Sequence, residues 1–423
     1  MDSRDAVAEP QPIDQGDTAA DPVPPKGPTS PADPAETPAG RPGARLPPTG
    51  LPATGRPEPQ QLATDQLATD QLASNQLATD QLASERPRSR WQRCARGARA
   101  VVRAPRGRAR RVLACCAVLP LALVSLVAGH RAADADGFTP VPQLLAFLPW
   151  LLVPAALGLL LAVLARWTLG CAWALAVLAT TGWYLQPYEG PGAGGEPSGP
   201  VLARPRMLTA NLEYGQATEG LLATLRRERP DLVAVQECDR RCAAALSTPA
   251  LRAAYPYRNI VTGQPAEGSA LLSVYPLRNE KGVPAALAMP TSRAKIADRW
   301  VRVQVAHPMP PLPGELDVWR TELGRLRTYA ERRGDAPTLI AGDFNASQDH
   351  AAFRRLLDTG MRDSTRLAGV SRTPSWPSLT TPLFGTQIDH VLVSDAWTAH
   401  DARFIDLADT DHRALLVDLE LHG

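Results

Sequence analysis

Residues 337–345 read PTLIAGDFN, an apolar β-type run that ends in a carboxylate and an amide, Asp343 and Asn345. Runs of the same kind recur on either side. Residues 205–211 (PRMLTAN) end in Asn211, residues 231–237 (DLVAVQE) in Glu237, and residues 300–307 (WVRVQVAH) in His307. Residues 268–275 (GSALLSVY) carry Ser269, residues 387–394 (QIDHVLVS) carry Asp389, and residues 411–420 (DHRALLVDLE) open with Asp411 and His412. Helical spacing fits residues 221–229 and 316–332. Strands alternating with a few helices predict an α/β layered domain over residues 201–423.

One acidic strand end carries little meaning, because strands end in turns and turns favour Asp and Asn. The set is more informative. Asn211, Glu237, Asp343, Asn345, Asp389 and Asp411 offer hard oxygen ligands, with His307 and His412 as nitrogen donors. Hard oxygens without thiolates suit Mg²⁺, Mn²⁺ or Ca²⁺ rather than zinc, and such ions serve phosphate chemistry.

With TANLEYG, PDLVAVQE, GSALLS, VAHP, IAGDFNAS, QIDHVLVS and TDHRALL in this order, the sequence resembles the endonuclease/exonuclease/phosphatase superfamily across about residues 205–420. The resemblance implies a four-layered α/β sandwich, two mixed sheets flanked by helices. It also implies a Mg²⁺-dependent phosphoric ester hydrolase, with Mn²⁺ or Ca²⁺ as alternatives. Carried over by residue, Glu237 is the main metal ligand with Asn211 and Asp411 nearby, and Asp343 orients or deprotonates the attacking water. Asn345 holds that water or the phosphate, Asp389 fixes the tautomer of His412, and His412 contacts or protonates the phosphate. His307 takes the place of a second histidine, and Ser269 is a subsidiary contact to substrate. His390, inside IDH, packs or bonds locally. The basic residue that usually follows the serine of the fifth-strand motif is absent, since Ser273 precedes Val274. That departure and the compact domain leave the substrate open between nucleic acid and a phospholipid head group.

The rest of the chain has a different composition. Residues 1–90 contain no aromatic residue, 15 of the 42 prolines precede residue 60, and residues 61–85 repeat a QLATD-type pentapeptide five times. Such a stretch buries too little surface to offset its chain entropy and reads as a disordered tail. A five-residue period gives no helical stripe, and five repeats make barely one coil of a β-solenoid. Residues 86–111 hold eleven arginines and no acid. Three apolar segments follow, 112–128, 141–165 and 168–185, then a Gly/Pro-rich linker over 186–200. They predict three transmembrane helices. The charges beside them predict a cytoplasmic N-terminus and an extracellular domain beyond the last span of a multi-pass cell-membrane protein.

The whole chain has 45 Lys and Arg against 43 Asp and Glu, and residues 201–423 hold 27 against 26. Near-neutrality excludes a strongly basic nucleic-acid binder and weighs against a dedicated nuclease. No sequence feature points to a protein partner. The four-residue spacing of Cys238 and Cys242 leaves a disulfide and two free thiols both open. The expected activity is therefore a membrane-tethered, metal-dependent phosphoesterase. A non-catalytic Ca²⁺-binding surface module is the rival, and it has no use for a histidine steered by Asp389.

Overall fold

The described residues of this computed structural model are 103–191, 195, 197 and 199–423. The Pro-rich tail, the pentapeptide repeats and most of the Arg-rich flank lie outside them. All that follows concerns the compact unit Arg88–Gly423.

Two mixed sheets form the centre of the C-terminal region. The first joins β1 (Val201–Ala203), β13 (Arg413–His422), β2 (Arg206–Asn211), β3 (Leu232–Gln236), β5 (Ser269–Ser273) and β4 (Tyr257–Val261) in that order, with β12 (Trp397–Asp406) also paired to β13. The second runs β10 (Arg362–Asp363), β11 (Asp389–Val393), β9 (Thr338–Asp343), β8 (Arg299–Ala306), β7 (Thr291–Ile296) and β6 (Leu277–Glu280). Each sheet contains one parallel pair, β2 with β3 and β8 with β9, among otherwise antiparallel neighbours.

Alternation along the strands sorts their side chains into layers. On β9, Leu339 and Ala341 enter the core between the sheets, where they meet Met207, Leu232, Val303 and Val305. Ile340 points the other way, toward Trp319 and Leu323 of α8 (Leu316–Glu331) and Phe353 of α9 (Ala351–Leu357). On the first sheet, Leu208, Val233 and Val235 meet Leu221 and Leu225 of α5 (Thr218–Glu228) and Leu246 of α6 (Arg240–Leu246). Helices therefore cover both outer faces, and the architecture is the expected α/β sandwich.

Parallel neighbours end at the same edge of a sheet. Asn211 lies opposite Gln236, so Asn211 and Glu237 leave the first sheet together. Ala306 lies opposite Gly342, so His307 and Asp343 leave the second together. Gly342 is required at this point, because a Cβ there would lie 1.9 Å from the Ala306 carbonyl oxygen. The glycine of GDFN thus lets β8 and β9 run side by side up to the edge where His307 and Asp343 emerge.

Ahead of the sandwich stand α1 (Arg108–Ala132), α2 (Val141–Ala146), a 3₁₀ turn over Leu148–Leu151, α3 (Leu152–Leu164) and α4 (Thr168–Tyr184). Residues 141–165 are therefore not one continuous helix, as their composition suggests. Pro149 cannot donate a backbone hydrogen bond and disfavours a helical Leu148, and the chain tightens into the 3₁₀ turn at that point. Pro154 falls in the first turn of α3, where it is tolerated. Small residues bring the helices together: a Cβ on Gly158 would lie 2.6 Å from Leu121, and Ala117, Ala155 and Ala174 are buried. Leu119, Val153, Leu160 and Leu175 are exposed on the outside. Among the described residues, α1 alone is long and apolar enough to cross a membrane by length and composition. At 17 residues α4 reaches about 26 Å.

The helices dock directly on the sandwich. The Asp136 carboxylate accepts from the Ala351 and Ala352 N–H groups at 2.6 and 3.1 Å, so a residue from the α1–α2 connection caps α9. Nε2 of buried His350 donates to the Pro142 carbonyl at 2.8 Å, while its Nδ1 accepts from the Ser347 N–H. Arg372 holds Asp349 with two bonds of 2.7 and 2.9 Å and also reaches the Tyr184 and Leu185 carbonyls. Past α4, Tyr188 donates to Asp358 at 2.7 Å, and Glu189 pairs with Arg366, so the segment 186–200 is held at its start. At the other end of the helices, the Arg103 N–H donates to the Thr168 hydroxyl at 2.8 Å.

Candidate active site

A cavity of about 500 Å³ opens where the two parallel pairs end. Glu237, His307, Asp343, Asn345, Asp411 and His412 line it. The structure thus gathers six of the nine residues chosen from sequence at one surface, although they span 175 positions from Glu237 to His412. Asn211 and Asp389 stand one layer behind. The Asn211 amide nitrogen donates to Glu237 at 3.2 Å and to Asp343 at 3.1 Å, while its oxygen accepts from the Glu213 N–H. In this orientation Asn211 positions two carboxylates rather than offering them a third oxygen. Ser269 is buried in β5, its hydroxyl has no partner among the described residues, and it is absent from the cavity lining.

Local backbone geometry aims these groups. Glu237 and Asn345 follow their strands in left-handed conformations, φ 53° and 48°. Asn tolerates this region, but a Glu there is strained by roughly a kcal/mol or more, a cost characteristic of functional sites. The Asp343 carboxylate accepts from the Asn345 N–H at 2.7 Å, which closes the turn and fixes the acid. Cys238, next to Glu237, is disulfide-bonded to Cys242. The Asp239 side chain caps α6 through the Cys242 N–H at 2.8 Å, so both sides of the Glu237 turn are anchored.

Nδ1 of His412 bonds Asp389 at 2.9 Å, and its Nε2 lies 3.8 Å from Asp343 and 3.7 Å from Asp411. Burial opposes a charge on His412, but the Asp389 and Asp343 carboxylates outweigh it and push the imidazole up to about 10. Asp343 is raised to about 7, chiefly by burial, with His412 pulling it back down. The two groups therefore bias one another, the His412 charge favouring an ionised Asp343 and the Asp343 charge favouring a protonated His412. Burial also raises Glu237, against the N–H of Tyr214 and the amide of Asn211. His307 goes the other way: burial and the neighbouring His412 lower it to about 3, so its ring is neutral.

The donor set fits a hard divalent cation. Ligand atoms of Asp343, Asp389 and His412 lie within 4.8 Å of one another, and the buried Oδ1 of Asp389 has no partner among the described residues. Because His412 Nδ1 is engaged by Asp389, the more open carboxylates of Glu237 and Asp411 are better placed to take an ion. His390 is structural, held by Asp363 at 2.7 Å and the Ala346 carbonyl at 3.0 Å.

Sequence reasoning missed several lining residues. Glu213 lines the cavity and accepts from the Asp411 N–H at 2.7 Å. Trp376 donates from Nε1 to the Asp411 carboxylate at 2.7 Å. Gln143, Ala146 and Phe147 come from α2 and the turn after it, so the helical region supplies part of the wall. Glu213 stands inside TANLEYG and was within reach of motif reading; Trp376 and Phe147 carry no local signal.

The sequence profile of the Endonuclease/Exonuclease/phosphatase family matches residues 208–412. Among solved structures, D. rerio TDP2 complexed with single-strand DNA product is 14% identical, covers 51% of this chain and 99% of its own, and superposes with a TM-score of 0.45. An endonuclease/exonuclease/phosphatase from Beutenbergia cavernae is 18% identical, covering 52% and 72%, with a TM-score of 0.43. The 3′ phosphatase NExo from Neisseria, bound to a product DNA hairpin, is 18% identical, covering 50% and 98%, with a TM-score of 0.40. No curated protein sequence matches. Residues 208–412, with their ordered motifs and convergent strand ends, form a domain of the endonuclease/exonuclease/phosphatase family.

Proposed function

We propose that this chain is a membrane-tethered, divalent-cation-dependent phosphoester hydrolase, with its sandwich on the outer side of the cell membrane. The charge of the cavity carries the reading. Glu213, Glu237, Asp343 and Asp411 line it, and no Lys or Arg does among the described residues. A phosphoester is an anion, and a wall of carboxylates repels it unless a cation lies between them.

Glu237, with Asp411 beside it and Asn211 orienting it, is the group that would hold Mg²⁺ or Mn²⁺. Such an ion supplies charge neutralisation at the phosphate and at the departing oxygen. Asp343, held by the Asn345 N–H and raised toward neutrality by burial, takes a proton from the attacking water. His412, kept cationic by Asp389, donates a hydrogen bond to a phosphate oxygen or to the leaving oxygen. Neutral His307, whose buried Nδ1 has no partner among the described residues, offers a further contact to the phosphate.

Three observations support the location. Apolar side chains cover the outside of α1, α3 and α4. Arg103 meets Thr168 at the end of the helices away from Asp134, Asp136 and Tyr184, which touch the sandwich side. The Cys238–Cys242 disulfide suits an oxidising exterior. Three spans, the second interrupted at Pro149, accommodate these facts.

The full chain in detergent is expected to hydrolyse bis-p-nitrophenyl phosphate with Mg²⁺ or Mn²⁺, and to lose turnover with a chelator or with His412→Ala. Equal inertness of wild type and variant toward nucleic acid, phospholipid and inositide substrates would sink the enzyme reading. Protease added to intact cells should digest the sandwich and spare the Arg-rich flank; the reverse pattern overturns the orientation.

A further inference from the structure

The cavity has a second, apolar side that the hydrolytic groups leave unused. Phe147 stacks on Phe384 at 5.0 Å and 13°, Trp150 meets the same ring at 4.9 Å, and Phe147 lies 6.2 Å from Trp376. Trp376 in turn donates to Asp411. An unbroken aromatic path therefore leads from the 3₁₀ turn before α3 to a carboxylate of the site. Leu312, half exposed, stands at the rim.

The loop 376–386 carries this path and is fastened to the helical region twice. The Trp150 indole N–H donates to the Gly385 carbonyl at 3.2 Å, and the Thr386 hydroxyl donates to the Ala146 carbonyl at 2.7 Å. The same loop presents Leu379 and Leu383 at 93% and 82% exposure. Two leucines left in water on a loop that is pinned to a helix bundle with an apolar exterior make sense at the surface of a bilayer.

We propose that the shelf formed by Phe147, Trp376 and Phe384 seats the hydrocarbon portion of a membrane lipid whose phosphoester reaches the carboxylates, with Leu379 and Leu383 dipping into the leaflet beside it. The proposal rests on the phosphoesterase and membrane readings above and names their substrate class. A leaflet lipid is the occupant because the shelf continues the apolar surface of α3, where Val153 and Leu157 are exposed. Aromatic rings also stack on nucleobases, but single-stranded nucleic acid is held by a cationic groove as well. No Lys or Arg lines this cavity among the described residues. In the reaction the oxygen of water bonds to phosphorus and the bond from phosphorus to the lipid or head-group oxygen breaks. The proton lost by water is matched by one delivered to the leaving oxygen.

The test uses the full chain with Mg²⁺ in nanodiscs of phosphatidylcholine, phosphatidylglycerol and phosphatidic acid, read by mass spectrometry of the lipids. Bis-p-nitrophenyl phosphate and a single-stranded oligonucleotide serve as soluble probes. Wild type is expected to consume one of the lipids. The double variant Leu379→Glu/Leu383→Glu, at exposed positions that folding does not need, should lower lipid turnover about tenfold or more and leave the soluble diester unchanged. Phe147→Ala should lower kcat/KM for lipid more than for the soluble diester. Hydrolysis of the soluble diester with lipids untouched, cleavage of the oligonucleotide alone, or equal loss on lipid and soluble probe in the double variant each overturns the lipid seat while leaving the phosphoesterase intact. Inertness toward every probe overturns both.

Discussion

The cavity has two walls of opposite chemistry. One is built from strand ends and turns of the sandwich and carries Glu237, Asp343, Asp411 and His412; the other is built from α2, the turn after it and the loop 376–386, and carries Phe147 and Trp376. The first wall is a property of the fold, because two parallel strand pairs each release their polar ends at the same edge. The second depends on a helical region lying outside the family match at residues 208–412. The polar wall thus comes from the sandwich alone, whereas the apolar wall is shared between the helical region, through Phe147, and a loop of the sandwich, through Trp376.

Changes to the polar wall should affect every substrate alike. Asp343→Asn is expected to lower kcat roughly a thousandfold on soluble and lipid phosphoesters together, the range of a lost general base. A loss confined to one substrate would place Asp343 in recognition instead.

The joint between the walls comes next. Arg372→Ala removes both bonds to the fully buried Asp349 carboxylate, leaving it, among the described residues, Arg131 at 3.5 Å. Breaking a buried pair in this way costs about 3 kcal/mol. Thermal unfolding in detergent should register that loss, and Arg372→Lys should restore little, because a lysine cannot form the two-pronged contact. An unchanged Tm would mean that the Arg372 clamp, which also reaches the Tyr184 and Leu185 carbonyls, adds nothing to stability.

The two histidines of the site offer a finer contrast. His307 is lowered to about 3 by burial, whereas His412 is raised to about 10 by its carboxylates. Below pH 6.5 an unfolded chain protonates His307 and the folded chain does not. Its contribution to stability is therefore complete above pH 6.5 and fades as pH falls toward 3. In chelator-treated protein, NMR should find the His307 ring neutral at pH 4.5. A midpoint near 6.5 would contradict its burial.

The smallest effect is expected at Thr386. Replacing it by Val deletes the hydroxyl bond to the Ala146 carbonyl and should cost about 1 kcal/mol of stability. A lipid turnover more sensitive than the soluble reaction would further tie this contact to the apolar wall.

The two walls also differed in how well the sequence announced them. Strands such as β3 and β9 are apolar along their length and end in acids, so both the element and its chemistry stand in one short window. Edge strands β4 and β6, with the sequences YRNIV and LRNE, mix polar and apolar residues at the margin of the sheet and gave no such signal. Neither did the apolar wall. In an apolar stretch such as 141–165, composition does not distinguish a side chain that faces lipid from one that faces a neighbouring domain. Phe147 meets its partners Trp376 and Phe384 more than two hundred residues later. Trp376 reaches Asp411 across 35 residues with no motif linking them.

The clamp formed by Arg372, Asp349, Asp136 and His350 joins the helices to the sandwich independently of the backbone between them. A peptide bond cut between residues 190 and 200 would sever the backbone and leave the buried bonds to Asp349, Ala351, Pro142 and Tyr184 intact. The two pieces would then remain one assembled particle, because Asp136, Pro142 and Tyr184 hold the sandwich through side-chain bonds and not through the connecting chain.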